Sequence, residues 1–202
     1  YAKFEAINSV SGPGVWTETR RPGASAGLNN TTMPHKLYNT AKNAFTFSVI
    51  EDSDGISGVF GTPRLVGDAN TNEHPRFIDQ KLQQAFFYNN RLGFLAADNV
   101  EMSQAGEFFN FYMITAQSTT DADPIGISCS STRPATLHSI VPTASGLLLF
   151  SQNQQFILFS SEGNLTPGSA LIRGISNYRM DSNIDPVDVG THINFISKTH
   201  DT

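Results

Sequence analysis

The chain has 202 residues, 39% apolar and only 15% charged, and 13 basic against 18 acidic side chains leave a net charge of −5. Arg20-Arg21 is the one adjacent Lys/Arg pair, so the basic stripe that gripping phosphate demands is missing and tight nucleic-acid binding is excluded. The single cysteine, Cys129, excludes an internal disulfide and a thiolate metal cluster, and apolar runs such as Leu147 to Phe150 are far too short for a membrane-crossing helix. Ser, Thr, Asn, Gln and Gly fill the deficit in charge, a surface common to β-rich assembly proteins and lectin-like modules. A chain that opens at Tyr1 rather than Met and stops just after an apparent strand reads as an internal fragment of a longer protein.

From the start, Gly12-Pro13-Gly14 and Arg21-Pro22-Gly23 predict turns around a short strand from Val15 to Thr19. Gly23-Ala24-Ser25-Ala26-Gly27 fits the Gly-x-Ser-x-Gly pattern of hydrolases. That chemistry needs a strand feeding the serine and a helix leaving it, and the flanking Arg20-Arg21-Pro22 and Leu28-Asn29-Asn30 offer neither, so a loop is expected. Met33 to Leu37 reads as an edge strand, because Pro34 cannot donate to a central ladder. Phe45-Thr46-Phe47-Ser48-Val49-Ile50-Glu51 is the clearest alternating strand, with Phe45, Phe47 and Val49 on one side.

Turns follow at Asp52-Ser53-Asp54-Gly55 and Gly58, then a short strand at Arg64-Leu65-Val66 and a long polar segment from Gly67 to Pro75. Asp68, Asn70 and Asn72, with Asp79 beyond them, echo a calcium loop, in which oxygen ligands alternate. Glu73 stands where glycine would make the sharp turn and Pro75 stiffens the segment, so local Asn/Asp turns fit better. Asp52-Ser53-Asp54-Gly55 lacks a distal carboxylate. A short helix is expected around Asp79 to Gln84.

Lys81 to Tyr112 organises the rest. Ala85 to Tyr88 is a β-favouring run stopped by Asn89-Asn90, and Arg91 to Leu95 alternates loosely up to a turn at Ala97-Asp98-Asn99. Val100 to Ser103 alternates again. Gln104 to Glu107 is a third break, and Phe108-Phe109-Asn110-Phe111-Tyr112 is densely aromatic. Short runs bounded by Asn, Asp and Gly read as an antiparallel meander. Downstream, strands are expected at Ile125 to Ser130, Leu137 to Val141, Gly146 to Ser151 and Gln155 to Ser160, with weaker ones at Leu171 to Arg173 and Ile175 to Tyr178. Gly190 to Ile196 begins a further unit. Leu92, Leu148 and Ile193 open comparable strands at uneven spacings of 56 and 45 residues (148−92 and 193−148), set against the roughly 40 to 50 residues with four strands each of a propeller blade. A two-sheet sandwich fits the same pattern.

The same stretch carries a family resemblance. Val66-Gly67-Asp68, Thr71 to Phe77, Phe86 to Leu95, Asn99-Val100, Ser103, Gly106 and Phe108 to Phe111, in that order and spacing, resemble the tail nozzle proteins of short-tailed bacteriophages, also called tail tubular protein B. The likeness is strongest over residues 62 to 160. It implies an all-β, propeller-like body at 62–202 preceded by a loop-rich β segment at 1–61. It also implies a homo-oligomeric ring, six-fold in the family, which extends the tail below an adaptor ring of tail tubular protein A and meets the tail fibres. DNA passes through such a conduit transiently and without tight binding. The location implied is the virion tail, and the role structural rather than enzymatic.

Other residues offer little chemistry. The five histidines, His35, His74, His138, His192 and His200, share no metal-like spacing, and Cys129 reads as a small core residue. Phe86, Phe87, Phe94, Phe108, Phe109, Phe111 and Tyr112 fit either a core or a glycan-stacking platform, the core being the commoner outcome for alternating aromatics. Arg91 beside them is expected to cover rings or pair with an acid. No catalytic, cofactor or metal residues are expected. A glycan-binding β-module, of fibre or lectin type, is the alternative, and a propeller hydrolase with paired carboxylates the third reading.

Overall fold

In the computed structural model, residues 1–8, 11–51, 56–131 and 134–197 are described. Among them every regular element is a strand, all pairing between strands is antiparallel, and no helix occurs. The chain divides into two compact and interleaved units, one of residues 1–74 with 109–119, the other of 75–108 with 120–202.

The first unit carries two hairpins and a long irregular body. Strands β1 (Ala2–Ala6) and β2 (Gly14–Glu18) pair with each other, as do β3 (Lys36–Ala41) and β4 (Ala44–Ser48). The tight β3–β4 connection is made by Lys42 and Asn43, the latter at φ 62°, a left-handed conformation that Asn tolerates. Between and after the hairpins, backbone hydrogen bonds stitch loops together: Phe60 N–H to Leu28 O (2.7 Å), Gly61 N–H to Ile50 O (3.1 Å), Thr62 N–H to Phe109 O (3.1 Å) and Arg64 N–H to Ala26 O (2.6 Å). Leu28, Val59, Phe60, Val66, Phe111 and Tyr112 are buried there. Gly61 is required at its place. Its φ is +56°, and a Cβ would lie 2.1 Å from the Phe109 carbonyl oxygen.

The second unit is built from two four-stranded meanders. The first comprises β5 (Leu82–Tyr88), β6 (Arg91–Ala96), β7 (Asn99–Met102) and β8 (Ile125–Ser128), in the order β5-β6-β7-β8. The second comprises β9 (Leu137–Thr143), β10 (Gly146–Ser151), β11 (Gln155–Ser160) and β12 (Ala170–Ser176), in the order β12-β11-β10-β9. Asn89 and Asn90 both have positive φ, 47° and 56°, which is what a two-residue type I′ hairpin requires, and Tyr88 pairs directly with Arg91 across it.

One hydrophobic core joins the two sheets. Phe86, Leu95, Val100, Met102 and Ile125 come from the first, and Leu137, Ile140, Leu147, Leu149, Phe156 and Leu158 from the second. The far face of the second sheet is covered as well. Val141, Phe150 and half-buried Leu148 pack against Met180, Ile193 and Phe195, and the Phe150 and Phe195 rings meet edge-on at 5.6 Å. Central strands such as Gly146–Ser151 are therefore apolar on both faces and read as a continuous run, because neither face meets water.

Several sequence expectations are corrected. The helix expected around Asp79 to Gln84 is absent: Leu82 and Gln84 pair with Ala96 and Leu95 across a bulge, and Gln84 Oε1 accepts the Ile140 N–H at 2.8 Å. Cross-strand pairing overrides the helical leaning of Lys81-Leu82-Gln83-Gln84. Arg64-Leu65-Val66 is not a strand, and of this neighbourhood only Gly67 makes a bridge, to Arg20. The edge strand lies at Lys36–Ala41 rather than Met33 to Leu37. Leu171 to Tyr178 holds one strand, not two. Phe108 to Tyr112 is irregular. Strand β9 runs through Pro142, which pairs with Leu147; β9 is the edge of its sheet, where a missing N–H is tolerated. Ile193 sits in a short pair, β13 (Val187–Asp188) with β14 (Ile193–Asn194), not in a four-stranded sheet like those of Leu92 and Leu148. The expected turn at Asp52 to Gly55 lies outside the described residues.

Candidate functional site

The residues that call for a partner lie on the two hairpins of the first unit. Residues directly opposite in an antiparallel pair share a face. In β3–β4, Leu37 opposes Phe47 and Asn39 opposes Phe45, while Lys36 opposes Ser48 and Tyr38 opposes Thr46. The first face is thus apolar, yet Leu37, Phe45 and Phe47 are 66%, 65% and 69% exposed. His35 stacks on Phe47 with ring centroids 5.0 Å apart. In β1–β2, Phe4 opposes Trp16 with centroids 5.3 Å apart, and Trp16 and Val15 also stand in solvent. Each hairpin is a two-stranded sheet among the described residues, so its outer N–H and C=O rows are unpaired. A lone hairpin is marginal in water, and exposed apolar faces beside open strand edges mark surfaces made to be covered.

The sequence-derived candidates are dispersed and locally occupied. The Asp68 carboxylate makes a turn of its own: Oδ1 accepts from Asn70 N–H (3.0 Å), Thr71 N–H (3.2 Å) and Thr71 Oγ1 (3.1 Å), and Oδ2 from the Tyr1 hydroxyl (2.9 Å). These bonds, the Asn70 amide foremost, hold its pKa down at about 2. Asn72 is buried, its Nδ2 donating to the Val66 and Met113 carbonyls and its Oδ1 accepting from Met113 N–H. Asn70 is exposed, and Asp79 is a left-handed turn residue (φ 57°) of the second unit. Among the described residues no three His, Cys, Asp or Glu side chains gather as a metal would need. Ser25 lies in a loop, bonded to Gly27, with neither strand nor helix beside it.

The histidines are equally scattered. His74 Nδ1 lies 2.7 Å from the Tyr112 hydroxyl, and burial followed by the Arg64 charge lowers its pKa. Burial, then Lys81, lowers that of His138 on β9. His192 Nδ1 meets Thr191 Oγ1. His200 lies outside the described residues. Cys129 is buried, its thiol pushed up to about 12 by burial and then by Asp98, which leaves it a protonated core group.

Arg91 has a different role from either one expected. Fully buried, it sends Nη1 to the carbonyls of Ser103 (2.8 Å), Ala122 (3.1 Å) and Asp123 (2.6 Å), and Nη2 to that of Asp121 (2.7 Å). One guanidinium thus ties the loop at 121–123, which leads into β8, to the β6–β7 sheet, covering no ring. The aromatic set is split as well. Phe86, Phe94, Phe111 and Tyr112 are core, but Phe87 is 57% and Phe109 39% exposed, and Phe87 meets Phe108 edge-on at 4.9 Å.

Two comparisons place this arrangement. The family described as Bacteriophage nozzle protein matches residues 1–202, the whole chain. The chain belongs to the bacteriophage nozzle protein family. It is 33% identical over 197 residues to tail tubular protein gp12 of Escherichia phage T7, an alignment that covers 98% of this chain and 23% of that relative. The chain thus spans about a quarter of the curated relative it matches. The family is named for a bacteriophage nozzle and the relative for a tail tube. That Phe45 and Phe47 share a face was within reach of sequence reasoning. The alternation was plain, but Leu37 and Asn39 of the partner strand share that face and lie beside the rings rather than over them.

Proposed function

We propose that this chain forms part of the body of a tail nozzle, a ring of identical subunits below the tail adaptor ring, through which DNA leaves the virion without being tightly held. The observation that carries this reading is the whole-chain match to the nozzle family, together with the relative named a tail tubular protein. The hairpin faces of Leu37, Phe45 and Phe47 and of Val15 and Trp16 are contacts to neighbouring subunits of a hexamer, to the adaptor ring or to the tail fibres. Their exposure is the cost of presenting an interface on a single chain. The role is mechanical, without an enzymatic step.

Propeller-like blades are part of the same proposal. Each four-stranded sheet is made of consecutive strands in a meander, and the two stack through one core. A two-sheet sandwich leaves both outer faces to solvent, whereas here Met180, Ile193 and Phe195 cover the second sheet from outside, as a following blade would. The acidic balance, −5, suits a conduit in which strong phosphate attraction would slow DNA.

The test is electron microscopy of the full-length protein, alone and with its adaptor ring. Six-fold rings that cap the adaptor are expected. A monodisperse monomer that ignores the adaptor and binds polysaccharide, with saturable quenching of Trp16, would overturn the proposal in favour of a glycan-binding module.

A further inference from the structure

A cavity of about 360 Å³ in the first unit is lined by Arg21, the Pro22 to Ser25 loop, Arg64, Asp68 and His74. Arg64 is 1% exposed, and its Nε and Nη2 have no hydrogen-bond acceptor in the protein. Those two nitrogens form the side-on edge of the guanidinium, whose parallel N–H groups match the two oxygens of a carboxylate. The remaining nitrogen, Nη1, reaches only the Ser25 carbonyl at 3.5 Å, and the ring of Tyr112 lies on the guanidinium face at 5.1 Å. A charged donor pair left unmatched in the interior is costly, so this edge is built to receive an acceptor.

The groups around it select the chemistry. Arg20 donates from Nη1 to the Arg64 carbonyl at 3.1 Å, and Arg21 stands exposed on the cavity wall. Asp68, also in the wall, makes no ion pair with Arg64 and is already held by Tyr1, Asn70 and Thr71. Its negative charge disfavours a dianion and leaves room for a planar, singly charged one. We propose that Arg64, supported by Arg21, forms a carboxylate-binding site in the first unit. Both edge nitrogens are out of solvent contact, so the ligand is admitted by displacement of the Pro22 to Ser25 loop. The hydrogen bond between that loop and the Arg64 side chain is the long one to the Ser25 carbonyl, and Gly23, at φ +79°, has no atom crowding it. The carboxylate comes either as a free small acid or as an Asp or Glu side chain of another copy of this acidic chain. The site stands whether or not the nozzle reading holds.

The probe is ¹³C-acetate, followed by line broadening on the full-length protein at fixed ionic strength set with chloride. Saturable broadening is expected, at least tenfold weaker in Arg64→Lys, which keeps the charge and loses the edge, and several-fold weaker in Arg21→Gln. If Arg64→Lys does not fold, wild type against Arg21→Gln decides. No saturable broadening, or equal broadening in wild type and Arg21→Gln, overturns the site. Tighter competition by inorganic phosphate than by a second carboxylate overturns the carboxylate assignment. Acetate that also weakens self-association in sedimentation identifies the source as another copy, and acetate that binds without doing so identifies a free acid.

Discussion

The two units use the same alternating sequence grammar and arrive at opposite surfaces. In the second unit, Leu147 and Leu149 point to one core and Leu148 and Phe150 to another, so every apolar residue of the strand has a layer above it. In the first unit, Phe45 and Phe47 alternate as cleanly and end in solvent. What separates these strands is the width of the sheet each belongs to, four strands against two. A four-stranded meander presents a face wide enough to stack on another, and a hairpin does not. The second unit thus buries the apolar residues of its central strands, and the first leaves those of its hairpins open.

The contrast can be broken from the core side first. Leu149→Ala should cost ~2–5 kcal/mol through the cavity it opens between the two sheets, read as a lowered denaturation midpoint with the slope unchanged. A loss comparable to that of a surface change would show that the stacked sheets are not the stable body. Next comes Gly61→Ala, which puts a side chain at positive φ and against the Phe109 carbonyl. About 1–3 kcal/mol is expected from the strained backbone, localised by hydrogen exchange to the first unit.

Replacing the exposed rings sharpens the contrast. Phe45→Ser with Phe47→Ser should change the stability of a single subunit by no more than ~0.5 kcal/mol, yet lower self-association of the full-length protein measured by sedimentation. Unaltered association would remove this face from the interface. The smallest effect is a pH dependence confined to one turn. Asp68 has a carboxyl held at about 2 by its hydrogen bonds, below the ~3.9 of an unfolded aspartate. Its contribution is therefore complete above the unfolded value and lost as pH falls through the folded one. Asp68→Asn should remove that acid limb from the unfolding profile of the first unit and leave the neutral range flat.

How much of this was legible follows from the same physics. The meander from Ala85 to Met102 was readable because Asn89-Asn90, both left-handed, and the turn at Ala97-Asp98 punctuate it. The second sheet was readable because Leu147 to Phe150 and Phe156 to Phe159 are short apolar runs bounded by Gly, Asn and Ser. Three features were not readable. Gln84 serves a cross-sheet hydrogen bond that no local pattern signals. Phe108 to Tyr112 leaves the ladder, and its later residues join the core of the first unit, where Phe60 stacks near Phe109 and Phe111. Arg64, which reads as part of a strand, is instead a buried cation whose environment comes from residues far away in sequence. The exposure of Phe45 and Phe47 was hidden for a related reason: alternation says which residues share a face, not what lies across from it.

The most direct test of the central claim is a cryo-electron microscopy reconstruction of the full-length protein assembled with its adaptor ring, at a resolution that shows side chains. The account predicts a ring in which Leu37, Phe45 and Phe47 are covered by a neighbouring subunit or ring, and the β3–β4 edge is paired or buried. A ring in which this hairpin still stands free in solvent would contradict it.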